Sequence, residues 1–211
     1  MSKIELIEDC ISRAIRRESK ITPLALAVPF LGCLNARHLL NNLGSISTRY
    51  AEIGSHRGGS LCSAVFKNDN LISATAIDSF LSDETSNEAA KPDFLENVEV
   101  CLPKEVKFDL IHKDSFQVDL SEMPTGIDLY LMDGSHDEDS QCRALTYYLP
   151  TMAEEFVFLV DDSDWPDVIE GTKRGLRETG VEVVFEKKFQ GNDHDNDGWY
   201  NGYWIFLLRK K

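Results

Sequence analysis

A chain of 211 residues, 42% hydrophobic and 27% charged, has the apolar content for one domain with a sizeable core and lies outside the compositions of disordered or fibrous proteins. Its formal charge of −14 argues against nucleic acid and anionic membrane surfaces as partners, since binders of either present a basic face. No N-terminal run has the apolar core of a signal peptide and none reaches transmembrane length. The five cysteines (Cys10, Cys33, Cys62, Cys101, Cys142) stand far apart with no Cys-x-x-Cys, so the expectation is a cytoplasmic protein with reduced thiols and neither a zinc site nor a redox pair.

Residues 3–18 carry Ile4, Ile7, Ile11, Ala14 and Ile15 at helical spacing, which predicts an amphipathic helix. Pro23 and Pro29 break the next stretch. A second helix is expected over 34–43, with Gly44 just past its end as a C-cap. These first 47 residues form an N-terminal helical extension of the same domain, and could serve as a lid, a dimer surface or plain packing. From Tyr50 onward strands and helices alternate: a strand at 49–53, a helix at 59–67 and a strand at 71–77. A polar stretch at 79–92, a helix ending before Pro103 and a strand at 107–112 follow. Next come a strand at 127–132, a helix at 137–149, a strand at 156–160 and a helix at 166–179 closed by Gly180. Two last strands, 181–189 and 199–209, have only a loop between them and must pair antiparallel. Alternating strands and helices imply a parallel sheet covered on both faces. The fold class is therefore α/β: a three-layer, Rossmann-like, doubly wound sheet of seven strands, mostly parallel, with a C-terminal antiparallel hairpin.

The chain is organised around Glu52-Ile-Gly54-Ser55-His56-Arg57-Gly58-Gly59-Ser60, which reads as a strand end, a glycine-rich turn and a helix start. Gly54 permits a turn that a Cβ would hinder, and a helix start after such a turn offers N–H groups to an anion. The Gly-Lys-Ser/Thr ending of a P-loop is absent, and His56 stands where a dinucleotide fingerprint needs its second glycine. The spacing Glu-x-Gly-x-x-x-Gly-x-Ser resembles the first motif of class I S-adenosylmethionine-dependent methyltransferases, in the catechol-type and macrocin-type O-methyltransferase variant. The resemblance covers roughly residues 48–208 within a 48–211 methyltransferase domain. It implies that Glu52, Gly54, Ser55, Gly58 and Ser60 bind the cofactor, with Glu52 under its methionine part. It also implies that Asp78 accepts hydrogen bonds from two ribose hydroxyls and that Asp114 and Ser115 contact adenine.

In open parallel sheets ligands sit outside the carboxyl ends of the strands. Here those ends carry Glu52, Asp78, Asp114, Asp133, Asp161 and Asp162. Asp133, Asp161 and Asp162 would converge at the tips of neighbouring strands. Three such carboxylates cannot all stay ionised without a counter-charge, which a hard cation such as Mg²⁺ supplies. The Asp133-Gly-Ser-His136 segment with paired acids on the next strand resembles the macrocin-type enzymes. That resemblance implies a divalent metal on Asp133, Asp161 and Asp162, with Asp133 also near the cofactor and His136 as catalytic base. Asp164 is an alternative base, and N-capping of the following helices is the other reading of these aspartates.

The reading is an S-adenosylmethionine-dependent methyltransferase that O-methylates a small-molecule hydroxyl with help from a divalent cation. The alternative is a non-catalytic protein binding a nucleoside ligand or a partner on the same fold. A nicotinamide oxidoreductase is disfavoured by the missing glycine. A homo-oligomer whose second subunit closes the cleft stays open. Two departures from the family pattern stand out: Ala153-Glu154-Glu155 replaces the usual glycine pair before the fifth strand, and His56-Arg57 are unusual neighbours for a cofactor. Asp193-His-Asp195-Asn-Asp197-Gly198 resembles half of an EF-hand loop, but Trp204 stands where the bidentate glutamate belongs, so a solvated loop is expected. Trp199 and Tyr200 beside it could reach a substrate.

Overall fold

A computed structural model describes residues 1–81, 90–191 and 198–211. Seven strands form one sheet: β1 (Arg49–Ile53), β2 (Ser73–Ile77), β3 (Lys107–Ile111), β4 (Ile127–Met132), β5 (Met152–Asp161), β6 (Glu182–Phe189) and β7 (Tyr203–Arg209). Their spatial order is β3-β2-β1-β4-β5-β7-β6. The five strands from β3 to β5 are parallel, while β7 runs antiparallel to both β5 and β6. The helices are α1 (Lys3–Ile15), α2 (Pro23–Leu26), α3 (Leu34–Gly44), α4 (Gly59–Val65), α5 (Ala90–Cys101), α6 (Glu138–Tyr148) and α7 (Pro166–Thr179). Among the described residues no helix is long and apolar enough to cross a membrane.

Alternate residues of each strand feed opposite layers, as the period of two requires. On one face Tyr50, Ala74, Leu129, Leu131 and Val157 pack against Ile7 of α1, Leu39 and Leu40 of α3, Leu61 of α4 and Phe94 of α5. On the other, Ala51, Tyr130, Phe156 and Phe158 meet Leu145 and Tyr148 of α6 and Val168 of α7. Strand order reverses about β1, between β2 on one side and β4 on the other, so a crevice opens outside their carboxyl ends.

Three expectations shift. Gly44 is the last residue of α3, not a cap beyond it; a Cβ there would lie 2.3 Å from the Ala64 carbonyl oxygen, so the glycine serves the approach of α3 to α4. β5 starts at Met152 and contains Ala153-Glu154-Glu155, because Met152 pairs with Ile127 across an irregularity in the register with β4. β7 begins at Tyr203, and Trp199 is buried, its ring stacked 4.2 Å from that of Phe189. Trp199 is therefore core and no substrate wall, whereas Tyr200 is exposed. The EF-hand-like run, apart from its last glycine, lies outside the described residues, as does most of the polar stretch after Leu81.

Candidate active site

The strand tips are laced together one residue beyond the sheet. Gly54 N–H donates to Ile77 O (3.0 Å) and Asp133 N–H to Ile53 O (2.9 Å). Gly54 takes φ +83°, and a Cβ there would lie 1.9 Å from the Asp133 carbonyl oxygen, so no other residue fits. The chain then turns through His56 at φ +46° and Gly58 at φ +87° into α4. Asp78, just past β2, fixes the turn: its Oδ2 accepts from the N–H groups of Ser55 (2.7 Å) and His56 (2.8 Å), and its Oδ1 from Phe80 N–H (2.6 Å). The expected supply of free turn N–H groups for an anion is thus partly consumed by Asp78, and α4 has only seven residues.

A cleft of about 530 Å³ opens over this turn. Gly54, Ser55, Ser60, Asp78, Asp133, His136 and Asp162, all singled out from the sequence, line it. Its other wall is Pro29-Phe30-Leu31, which was missed, together with Phe80-Leu81 of the 79–92 stretch, where the sequence places a pocket wall. The signal for the first was present: apolar residues after Pro29 with no helical spacing to place them. Gly59 holds that wall, since a Cβ there would lie 2.5 Å from Pro29 O and 2.7 Å from Phe30 Cβ. Behind the wall, Arg37 of α3 is buried and donates to Leu26 O (3.2 Å), Val28 O (3.1 Å), Ala25 O (2.5 Å) and Ser63 Oγ (2.9 Å). The Ser63 hydroxyl donates in turn to Gly59 O (2.6 Å).

Glu52, Gly58, Asp161, Asp114 and Ser115 do not line the cleft. Glu52 is fully buried beneath the turn and accepts from Tyr50 Oη at 2.6 Å. Burial pushes its pKa up to about 7 against the pull of the Ser55, Tyr50 and Ser60 hydroxyls. The Ser55 and Ser60 hydroxyls lie against this carboxyl, yet neither Glu52 Oε1 nor Ser55 Oγ makes a well-formed hydrogen bond among the described residues, so polar capacity is left over beneath the turn. Such atoms beside a glycine turn fit the polar methionine end of the cofactor. Asp114 instead caps a short 3₁₀ turn through Phe116 N–H (2.8 Å), and the Ser115 carbonyl accepts from Tyr148 Oη. The adenine role assigned to these two is not supported by their placement; Ser79, Phe80, Leu81 and Ala90 form the cleft wall on the β2 side.

The acids of β4 and β5 separate into two groups. Asp161 ends β5 opposite Tyr203 of β7 and is buried. It shares a hydrogen bond with Asp133. Burial and then the neighbouring Asp162 charge raise its pKa to about 8, while Asp133 is raised well above its ordinary value by burial and then by Asp161 and Asp162. Burial and mutual repulsion thus push both carboxyls of this pair towards their protonated forms. Asp162 has φ +49°, which breaks the strand alternation and turns its carboxylate into the cleft. There its Oδ2 lies 2.8 Å from His136 Nε2, and the His136 ring packs 4.7 Å from that of Trp165. The donor set that converges is Asp133, His136 and Asp162, whose ligand atoms all lie within 4.8 Å of one another. This set differs from the expected one in one member: Asp161 is buried opposite Tyr203 and does not line the cleft, and His136 is the third donor. Two carboxylates and an imidazole suit a divalent cation, with the imidazole widening the choice from Mg²⁺ towards Mn²⁺, Fe²⁺ or Zn²⁺.

Capping does not explain these acids. Asp137 caps α6, accepting from Ser140 N–H (2.9 Å) and Ser135 Oγ (2.7 Å), and the N-cap of α7 is Trp165, which makes no side-chain cap bond. Asp164 is no free base either: its Oδ2 accepts from Gly191 N–H (2.6 Å) and its Oδ1 lies 3.5 Å from Lys188 Nζ.

A seven-stranded sheet of this order with its ligand cleft beyond β1, β2 and β4 is the fold of class I methyltransferases. Residues 51–163 match the methyltransferase-domain family, more than half of the chain, and the protein belongs to that family. With its fold, this makes it an S-adenosylmethionine-dependent methyltransferase. Among solved structures it resembles the O-methyltransferase TomG from Streptomyces achromogenes, involved in tomaymycin synthesis, in complex with SAM (16% identity, 95% of this chain and 89% of that one, TM-score 0.61). It also resembles an O-methyltransferase from Bacillus cereus in complex with SAH (15%, 95% and 91%, TM-score 0.61). A third neighbour is TYW2 from M. jannaschii in complex with AdoMet (13%, 82% and 74%, TM-score 0.56). At these identities the likeness is one of fold. Comparison with curated proteins gives no match.

Proposed function

We propose that this protein transfers a methyl group from S-adenosylmethionine to a hydroxyl of a small-molecule acceptor, with His136 as the base. The observation that carries the reading is the 2.8 Å contact of His136 Nε2 with Asp162 Oδ2 in the cleft that the Gly54–Ser60 turn also lines. The turn and Asp78 hold the cofactor, with Ser55, which lines the cleft over the buried Glu52, offering it polar contact. His136 removes the acceptor proton, and Asp162 stabilises the imidazolium that forms. The acceptor oxygen then attacks the sulfonium methyl carbon, forming the O–C bond as the C–S bond breaks and leaving S-adenosylhomocysteine. Holding oxygen and carbon in line supplies much of the rate. Two of the structural neighbours are O-methyltransferases, which supports a hydroxyl acceptor.

A second reading is favoured by the 4.8 Å cluster: Asp133, His136 and Asp162 hold a divalent cation, and His136 is a ligand, not the base. Such a cation would lower the pKa of an acceptor hydroxyl. The crowding of Asp133, Asp161 and Asp162 supports it, since a cation relieves their repulsion. Methyl transfer from labelled S-adenosylmethionine to a panel of phenols, catechols and sugars, run with and without a chelator, tests both. A rate that survives chelation but is lost in His136→Gln supports the base. Chelation that abolishes the rate, with rescue by Mg²⁺ or Mn²⁺, supports the cation. Absence of both cofactor binding and transfer sinks the proposed function.

A further inference from the structure

We propose that His56 is a cofactor-binding residue, taking the ribose hydroxyl for which Asp78 has no acceptor position left. The inference rests on the cleft being an S-adenosylmethionine site and deepens that reading. A carboxylate offers about four lone-pair positions to hydrogen-bond donors. Three of those on Asp78 are filled within the protein: two on Oδ2 by the N–H groups of Ser55 and His56, and one on Oδ1 by Phe80 N–H. Counted over the described residues, one position remains, on Oδ1, and it accepts one hydroxyl of a ribose and not both. The second hydroxyl needs another side chain at the same place.

His56 is that side chain. It lines the cleft together with Asp78 and Ser79, and its own N–H bond to Asp78 fixes its backbone at φ +46°. Histidine is several-fold enriched in this left-handed region over other side chains. The ring is half-buried and makes no side-chain hydrogen bond to any described residue. Burial and then the Arg57 charge lower its pKa, against the pull of Asp78 and Asp93. A neutral imidazole presents one N–H donor and one acceptor nitrogen, either of which suits a hydroxyl. Two serines also lie beside Asp78: the Ser55 hydroxyl is buried against Glu52, and the Ser79 hydroxyl accepts from Leu81 N–H (3.3 Å) but keeps its donor, which makes it the competitor that a Ser79→Ala variant tests. The turn that holds the cofactor thus contributes a specificity element as well as backbone.

The test is calorimetric titration of S-adenosylhomocysteine and of its 2′-deoxy and 3′-deoxy analogues into the wild type, His56→Gly, His56→Asn and Ser79→Ala. Glycine removes the ring without strain at positive φ, and asparagine tolerates the same conformation while keeping a donor and an acceptor. We expect His56→Gly to weaken S-adenosylhomocysteine about tenfold, the size of one hydrogen bond. It should weaken one deoxy analogue by the same factor and leave the other unchanged, because that ligand already lacks the bond. His56→Asn should recover part of the loss. A merely structural role would weaken all three ligands alike. Equal losses, no loss, or the ligand-specific pattern appearing in Ser79→Ala instead would overturn the inference. Failure of the wild type to bind S-adenosylhomocysteine at all overturns the cofactor reading and this inference with it.

Discussion

At the scale of single residues, one dihedral angle decides what the paired acids do. Asp161 and Asp162 were legible in the sequence as strand-end carboxylates, but which of them faces the cleft was not, because alternation along a strand says only that neighbours point apart. The left-handed φ of Asp162 turns it to His136, and Asp161 is left between Asp133 and Tyr203. The two positions should therefore respond differently to the same substitution. Asp162→Asn removes the charge that stabilises the His136 imidazolium and should lower kcat by roughly 10²–10⁴-fold. Asp161→Asn replaces a carboxyl whose pKa is already raised to about 8, and should keep kcat within about tenfold of wild type at pH 7. Steady-state kinetics of the two variants checks this; equal losses would contradict the assignment. Glu52 makes a second residue-scale prediction. Its folded pKa of about 7 is raised above the unfolded carboxyl value, so its contribution to stability is fully present in acid and is lost as pH rises through about 7. The melting temperature should fall between about pH 4.5 and pH 7. Glu52→Gln, which cannot ionise, should flatten that fall, and thermal melts across the pH range read it directly.

At the scale of elements, the helical pattern located α3 but misassigned its last glycine. Gly44 was legible as a helix end because glycine so often follows one, yet the pattern carries no information about the partner helix. In the structure α3 closes on α4 so tightly that Gly44 meets the Ala64 carbonyl. Gly44→Ala must push two backbones apart and should destabilise by about 1–3 kcal/mol, although alanine is the better helix former. Chemical denaturation measures the sign: a stabilised Gly44→Ala protein would restore the cap reading. The same α3–α4 contact carries Arg37. A lone arginine among the apolar residues of a helix gave no hint of its role, since its partners are the carbonyl groups of α2 and the segment after it, together with the Ser63 hydroxyl of α4. Its guanidinium joins the helix after the glycine turn to the Pro29–Leu31 wall of the cleft, which is why a segment outside the recognisable motifs shapes the site.

At the scale of the molecule, alternation of strands and helices was enough to read the sheet, and two terminal strands with no helix between them were enough to read its antiparallel end. What the alternation does not say is whether the residues before β1 belong to the sheet's own core. They do by packing: α1 and α3 contribute Ile7, Leu39, Leu40 and Leu43, all essentially inaccessible to solvent, to the face of the sheet that also holds Tyr50, Leu129 and Leu131. Each such side chain contributes about 1.5–3 kcal/mol when buried, so the four together amount to roughly 6–12 kcal/mol. That is comparable with the whole net stability of a typical domain, about 5–15 kcal/mol. A fragment of residues 48–211, although it contains every motif of the methyltransferase resemblance, should therefore lack a cooperative thermal transition and should bind no S-adenosylhomocysteine. Circular dichroism and calorimetry on the fragment beside the full chain test this. A fragment that melts cooperatively but binds weakly would make the first helices a wall of the cleft alone; one that neither melts nor binds makes them part of the fold on which the site is built.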